Sequence, residues 1–323
     1  MVATLQGLRG SRCLVTGGAG FIGSHLVRGL LDLDCQVVVI DNFSTGYESN
    51  LEAVASQIEV VRGDVADRDT VDEAIRGCRF VFHHAAMASV PRSMREPALC
   101  HDWCTTSTVN LLDAAVQQEV DRFVLASTSA AYGDSSFVAK READSPAPLS
   151  PYAAAKLASE MYCGAFYRGF GLETVCLRYF NVFGPRQDPQ SEYSAVIPRF
   201  VAMILEGKRP VIYGDGLQSR DFVYVGDVVR ANLLAATQET AAGGVFNVAR
   251  GSSVTLLELL EMLRELLGHD IEPIFEAPRP GDVKDSLADI SQARRLLAYE
   301  PSVSIKEGLR QSIEYYRELV AAS

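Results

Sequence analysis

The sequence predicts an α/β protein: a doubly wound parallel sheet with helices on both faces, followed by a smaller C-terminal α/β lobe. Three observations carry this. Apolar strand-like runs alternate with helical stretches from residue 12 to about 178. The first run leads straight into three glycines spaced three apart. Beyond about residue 180 the alternation loosens into loops rich in Pro, Gly and Arg, at 184–190, 207–220 and 277–283. Residues 1–180 are therefore expected to form the first domain and 181–323 mainly the lobe, with about 220–250 returning to the first domain.

The elements follow in order. Cys13-Leu14-Val15-Thr16 is a short apolar strand that must leave its sheet through a tight turn. Gly17 permits the turn, and Gly20 lets a pyrophosphate approach bare backbone. Gly23, after Phe21 and Ile22, lets the next helix (24–31) sit close on the sheet. Backbone N–H groups at the start of that helix face anionic phosphates. The second strand, 36–40, ends in Asp41, 18 residues past Gly23. An acid there binds ribose hydroxyls and disfavours a 2′-phosphate. Such a Rossmann-type turn predicts bound NAD in preference to NADP.

Further strands are expected at 58–61, 80–83, 122–126 and 173–178, separated by helices near 67–76, 103–117 and 152–168. Ligands of such sheets sit beyond the carboxyl ends of the strands. That makes Asp41, Asp64-Val65, Ala85-Ala86 and Ser127-Thr128-Ser129 candidates. In the lobe, helices are expected near 194–206, 226–237, 255–267 and 303–319.

Composition narrows the classes. Apolar content of 48% and charged content of 22% suit a soluble globular enzyme. A net charge of −11 argues against a nucleic-acid surface. No apolar run of ~18 residues exists to span a membrane, and no secretory signal is visible, so a cytoplasmic location is expected. Seven cysteines, an odd number without a Cys-x-x-Cys pair, are expected to be reduced and buried. Cys100, His101 and Cys104 lack further ligands nearby, so no metal is expected.

Tyr152 and Lys156 lie four apart at the head of a predicted helix opened by Pro151, which puts both on one face. A phenol with a pKa of ~10 is a poor base at neutral pH. The adjacent ammonium, and the positive charge of an oxidised nicotinamide, are expected to lower that pKa.

Together with the glycine turn and Ser127-Thr128-Ser129, the Tyr-x-x-x-Lys pair resembles the extended short-chain dehydrogenase/reductase superfamily. Further motifs narrow the resemblance to nucleotide-sugar epimerases, over residues 10–318. Three belong to the cofactor half: Thr16 to His25, Asp41-Asn42-Phe43-Ser44-Thr45-Gly46 and Gly63-Asp64-Val65. The others are Arg178 to Arg186, Gly214-Asp215-Gly216, Ser219-Arg220-Asp221-Phe222 and Arg279-Pro280-Gly281-Asp282-Val283.

The resemblance implies a catalytic set of Thr128, Tyr152 and Lys156, with Thr where the family more often has Ser. It adds Asn42, Ser44, Thr45, Gly46, Ala88 and Tyr179 to the cofactor residues. It implies UDP-sugar contacts from Ser89, Thr128, Ser129, Tyr152, Val196, Ile197, Asp282 and Ser286. Asn181 would contact the diphosphate, Tyr213 the uracil, and Arg220 and Arg279 the phosphates. Where relatives usually carry Asn, this chain has Cys104, which puts that contact in doubt.

The implied reaction is transient oxidation. Tyr152 takes the proton of the sugar 4′-hydroxyl as hydride leaves C4 for NAD⁺; the 4-keto sugar turns, and hydride returns to its other face. NAD is regenerated and stays tightly bound. A dTDP-glucose dehydratase carries Asp-Glu after its catalytic Thr, whereas this chain has Ser129-Ala130. Ser286, seven residues past Arg279, replaces the bulky Tyr of relatives restricted to UDP-glucose and UDP-galactose. His84 to Ser93 resembles epimerases preferring UDP-N-acetylglucosamine.

Interconversion of UDP-GlcNAc and UDP-GalNAc is therefore expected, with UDP-glucose/UDP-galactose as further substrates. The alternatives are a UDP-glucose 4-epimerase, a UDP-glucuronate 4-epimerase or decarboxylase, and an NAD-sensing regulatory protein that has lost its chemistry. The helices near 103–117 and 152–168 resemble those that pair in homodimers through a four-helix interface, burying Leu157, Met161 and Phe166.

Overall fold

Strands that are apolar along their whole length belong between two helix layers. The computed structural model, which describes residues 5–134, 139–189, 195–278 and 284–322 (without side chains for 320–322), is built this way. The first half comprises β1 (Arg12–Thr16), α1 (Phe21–Leu31), β2 (Gln36–Asp41), β3 (Ile58–Arg62), α2 (Arg68–Ala74), β4 (Phe80–His83), α3 (Val90–Arg95), α4 (Pro97–His101), α5 (Ser107–Gln117), β5 (Arg122–Thr128), α6 (Pro151–Phe170) and β6 (Thr174–Tyr179).

The chain continues through β7 (Asn181–Phe183), α7 (Val196–Leu205), β8 (Val211–Tyr213), β9 (Ser219–Arg220), β10 (Phe222–Tyr224), α8 (Val225–Thr237) and β11 (Val245–Val248). It ends with β12 (Val254–Thr255), α9 (Leu256–Leu267), β13 (Ile274–Glu276), β14 (Asp285–Ser286), α10 (Ser291–Leu297) and α11 (Ile305–Ala322).

Seven parallel strands form one sheet in the order β3-β2-β1-β4-β5-β6-β11. The order reverses between β1 and β4, where Thr16 and His83 sit in register, and a crevice for ligands opens at such a switch point. On one face Leu26, Val27 and Leu30 of α1 pack with Val228, Leu233 and Leu234 of α8. On the other, Val71, Leu111, Leu112 and Cys163 cover the sheet from α2, α5 and α6. A separate core of Phe200, Val201, Leu259, Leu263 and Tyr316 unites α7, α9 and α11 in the C-terminal half. Among the described residues no helix is long and apolar enough to cross a membrane, and all seven cysteines are buried and free.

Several elements differ from the sequence expectations. β11 is a seventh strand beside β6; its four residues follow Gly243-Gly244 and carry too little periodicity to announce it. The helix expected near 103 begins at Pro97 and passes through a π-turn at Asp102–Thr106 before α5. α3 and α10, of six and seven residues, were too short for a helical period to appear. Phe166, expected at a subunit interface, packs against the sheet core and stacks on Phe170 at 4.7 Å. Met161 is 60% exposed on α6, and Leu157 is half-buried.

Candidate active site

The cleft beyond β1 is shaped by glycine. Gly17 turns at φ +68° and donates its N–H to the Ile40 carbonyl at 2.8 Å. A Cβ on Gly23 would stand 2.1 Å from the Gly17 carbonyl oxygen, so α1 is seated on the turn itself. Gly23→Ala is expected to cost about 1–3 kcal/mol by overpacking and to weaken NAD binding, as thermal melting and NADH fluorescence titration would show. Gly20 is the N-cap of α1 and supplies no side-chain cap, which leaves first-turn N–H groups open for an anion.

One cleft of about 410 Å³ gathers every residue assigned to the cofactor except Gly46. Gly46 lies behind the turn, where a Cβ would meet Ala19 at 2.9 Å. Gly63, His84, Trp103, Ser127, Gln187 and Asp188 also line this cleft. Gly63 opens the Gly63-Asp64-Val65 motif expected in the cofactor half, and His84 directly precedes Ala85, where the strand-end rule could have found it.

Asp41 braces the backbone on both sides of the cleft. Oδ2 accepts the Ala19 N–H at 2.9 Å and Oδ1 accepts the Phe43 N–H at 2.8 Å, tying the glycine turn to the next loop. Burial pushes its carboxyl up, against those two N–H groups and Arg62. Each oxygen keeps a lone pair for a ligand. On the rim, Asn42 Nδ2 donates to Asp64 Oδ2 at 3.2 Å.

The candidate acid–base set is carried by β5 and α6. Ser150 caps α6, its hydroxyl accepting the Ala153 N–H at 3.2 Å, with Pro151 in the first turn. One helical turn then separates Tyr152 from Lys156, and both line the cleft. Thr128, the last residue of β5, accepts the Ala130 N–H at 3.1 Å, and its hydroxyl favours the Tyr152 phenolate. The Lys156 ammonium is buried without a hydrogen-bond partner among the described residues. An orphaned donor in this wall, an uncapped helix start and bare glycine backbone together fit a dinucleotide rich in hydroxyl and phosphate oxygens.

The expected lowering of the Tyr152 pKa includes the charge of a bound nicotinamide, and the chain without it behaves differently. Within the chain alone Tyr152 is pushed above the ordinary phenol range, not below it, by burial first and by Cys104 second; the Thr128 hydrogen bond opposes both. Desolvation dominates because the phenol loses water that would have stabilised its anion. Burial also lowers Lys156. Cys104 packs with Met87, Cys100 and Ala155 against Tyr152, so it sits behind the phenol and does not line the cleft.

A second cavity of about 240 Å³ collects Asn181, Val196, Ile197, Tyr213 and Arg220. Arg199 and Gln218, not anticipated from the sequence, line it too. Ala195 is common to both cavities, which sets them side by side. Ser286 on β14 pairs in register with Arg220 on β9. Ser89 accepts the Arg92 N–H at 3.2 Å as N-cap of α3, and Ser129 opens the short 3₁₀ turn after Thr128. Ser89, Thr128, Ser129 and Ser286 flank the cavities without lining either. Arg279 and Asp282 lie outside the described residues. Asp221, in the Arg220 motif, braces the backbone instead, accepting the N–H groups of Arg250, Gly251 and Ala288.

Comparison with known proteins bears on the family and the fold. The family model for the NAD dependent epimerase/dehydratase family matches residues 13–249. A UDP-N-acetylglucosamine 4-epimerase from Methanobrevibacter ruminantium, solved with UDP-N-acetylmuramic acid, superposes with a TM-score of 0.93 at 40% identity, over 96% of this chain and 99% of that one. A UDP-glucose 4-epimerase from Thermotoga maritima, solved with UDP-glucose, gives 0.91 at 40% identity with the same coverage. A dTDP-glucose 4,6-dehydratase from Streptomyces niveus is 36% identical over 95% of this chain and 93% of its own length.

Proposed function

The chain belongs to the NAD dependent epimerase/dehydratase family, and on that premise we propose that it interconverts UDP-GlcNAc and UDP-GalNAc by 4-epimerisation. The observation that carries this is the Tyr152–Lys156 pair in the cofactor cleft, with Thr128 flanking it, beside a pocket bearing Asn181, Tyr213 and Arg220. NAD, held by the glycine turn, Asp41 and Lys156, supplies a reversible hydride acceptor when bound.

The chain's own residues handle the proton and the sugar. Tyr152 takes the proton of the 4′-hydroxyl and later gives it back. Thr128 holds the same hydroxyl, and the Lys156 ammonium favours the phenolate form. Arg220 and Asn181 anchor the diphosphate, which lets the sugar turn while the nucleotide stays fixed. Ser129-Ala130 offer no acid–base pair for eliminating water, which weighs against a dehydratase. The exposed Met161 and half-buried Leu157 on α6 support a homodimer through that helix.

Substrate choice is assigned to Ser286. A small residue leaves room for a 2-acetamido group, and a bulky one excludes it sterically. Ser286→Tyr is expected to lower kcat/KM for the acetylated pair by about 10- to 100-fold while sparing UDP-glucose. Equal loss on both pairs would contradict the steric assignment. The direct test mixes the purified protein with UDP-GlcNAc and no added NAD, following the anomeric protons by NMR. Turnover of UDP-glucose alone would move the assignment to UDP-glucose 4-epimerisation.

A further inference from the structure

We propose that His83 is a positioning residue for the reaction, a neutral strut with its proton on Nε2 that locks the cofactor-lining Ala85–Ala86 segment to the helix carrying Tyr152 and Lys156. The inference rests on the acid–base assignment above and adds a residue that lines neither cavity.

His83 is fully buried at the end of β4, directly opposite Thr16 at the point where strand order reverses. Its two ring nitrogens face two hydroxyls, Nδ1 to Thr16 Oγ1 at 2.7 Å and Nε2 to Thr108 Oγ1 at 3.1 Å. Counting protons at each end fixes the tautomer. Thr16 Oγ1 already accepts the backbone N–H groups of His84 at 3.2 Å and Ala85 at 3.1 Å. A hydroxyl has two lone pairs and one proton, so Thr16 gives its proton to Nδ1. At the other end Thr108 donates to the Cys104 carbonyl at 2.5 Å, so it must accept from Nε2–H. Both ends require the same ring.

Beyond Thr108 the chain of hydrogen bonds reaches the acid–base helix. The Thr108 and Ser159 hydroxyls meet at the Cys104 carbonyl, and the single Ser159 proton is shared between that carbonyl and the Ala155 carbonyl, each 3.0 Å away. Ala155 directly precedes Lys156, and the Cys104 carbonyl belongs to the π-turn that packs on α6. One imidazole therefore bridges β1, the Ala85 segment, the π-turn and α6, all of which border the reacting groups.

A charged ring could not serve. Both nitrogens would then donate, Thr16 Oγ1 would face three donors, and a backbone N–H at the cofactor cleft would lose its acceptor. Burial first, then the Lys156 ammonium on α6 and the titratable His84 beyond β4, also resist protonation of the ring. The remaining ring contact is Phe123 of β5, at 6.0 Å between centroids.

Three variants and one spectrum test this. His83→Phe keeps the bulk and removes both bonds; His83→Asn can restore the bond from Thr16; Thr108→Val removes only the far end. Per folded molecule, His83→Phe should lose kcat by on the order of 10- to 100-fold with KM within about twofold. Thr108→Val should lose part of that, and His83→Asn should recover part of it. Unchanged kcat in His83→Phe and Thr108→Val, or Thr108→Val alone shifting KM, would overturn the proposal.

¹⁵N-histidine NMR, with His83 assigned by its absence from His83→Asn, reads the ring without any turnover. The expected signals are a bare Nδ1 and a protonated Nε2, constant between about pH 5 and 8. A protonated Nδ1, or titration within that window, would sink the strut. Failure of the wild type to epimerise any UDP-hexose would instead refute the acid–base assignment, since it leaves the spectrum unaffected.

Discussion

Replacing Tyr152 by Phe should lower kcat by about 10²- to 10⁴-fold, the range of a lost general acid–base group, while the protein keeps its fold and its NAD. The substitution removes one oxygen from a cleft wall and leaves the ring. Because burial and Cys104 hold the phenol above its ordinary range, wild-type kcat should climb with pH on its acid limb. A flat profile, or a Phe variant within tenfold of wild type, would remove Tyr152 from the reaction.

Lys156→Met should separate stability from activity in the same site. Its ammonium is buried and unpartnered among the described residues, and leaving such a group unsatisfied costs about 1–3 kcal/mol. The Met variant should therefore melt higher without NAD and turn over poorly. The pH dependence has a definite sign. Folding lowers the pKa of Lys156 from the ordinary 10.5, so the unfolded chain binds more protons in that window and stability rises with pH. The comparison belongs below pH 10.0, above which the raised phenol of Tyr152 pulls the other way. Differential scanning calorimetry of wild type and Lys156→Met measures both.

What the sequence disclosed and what it hid have physical causes. Glycine spacing, strand periods and the four-residue step from Tyr152 to Lys156 are local, and the structure sets these residues around one cleft. The direction of the Tyr152 shift was hidden because it depends on α4 and the π-turn packing behind the phenol, a tertiary contact. The two backbone bonds of Asp41 were hidden for a similar reason: they require Gly17 to fold the Ala19 amide back over β2. Ser89 and Ser286 show the converse. Their motifs bring them beside the cavities, but whether a side chain forms the wall depends on strand register and helix capping, which spacing does not encode.

The hydrogen-bonded strut and the ion pair behind Ser127 show how much of the site is support. The second large effect is expected at that pair. Glu160 and Arg178 are buried together; Arg178 Nε and Nη2 donate to its two oxygens at 3.0 and 2.7 Å. The Ser127 hydroxyl donates to the same carboxylate. The guanidinium also lies 4.8 Å over the Tyr132 ring, whose hydroxyl donates to Asn247 at 2.6 Å.

Arg178→Met would leave the carboxylate buried and uncompensated, at a cost of about 3–5 kcal/mol. Urea unfolding should show that loss; a change below about 1 kcal/mol would mean that the pair behaves like an exposed one. Adding Glu160→Leu removes the stranded charge, and the double variant should regain most of the stability, because a packed apolar pair can replace a buried ion pair. Activity should not return with it. Glu160 orients Ser127 in the cleft wall and stands one turn past Lys156, so the repaired core would still lack what holds those two groups in place. Recovery of both stability and kcat in the double variant would reduce the ion pair to a packing element.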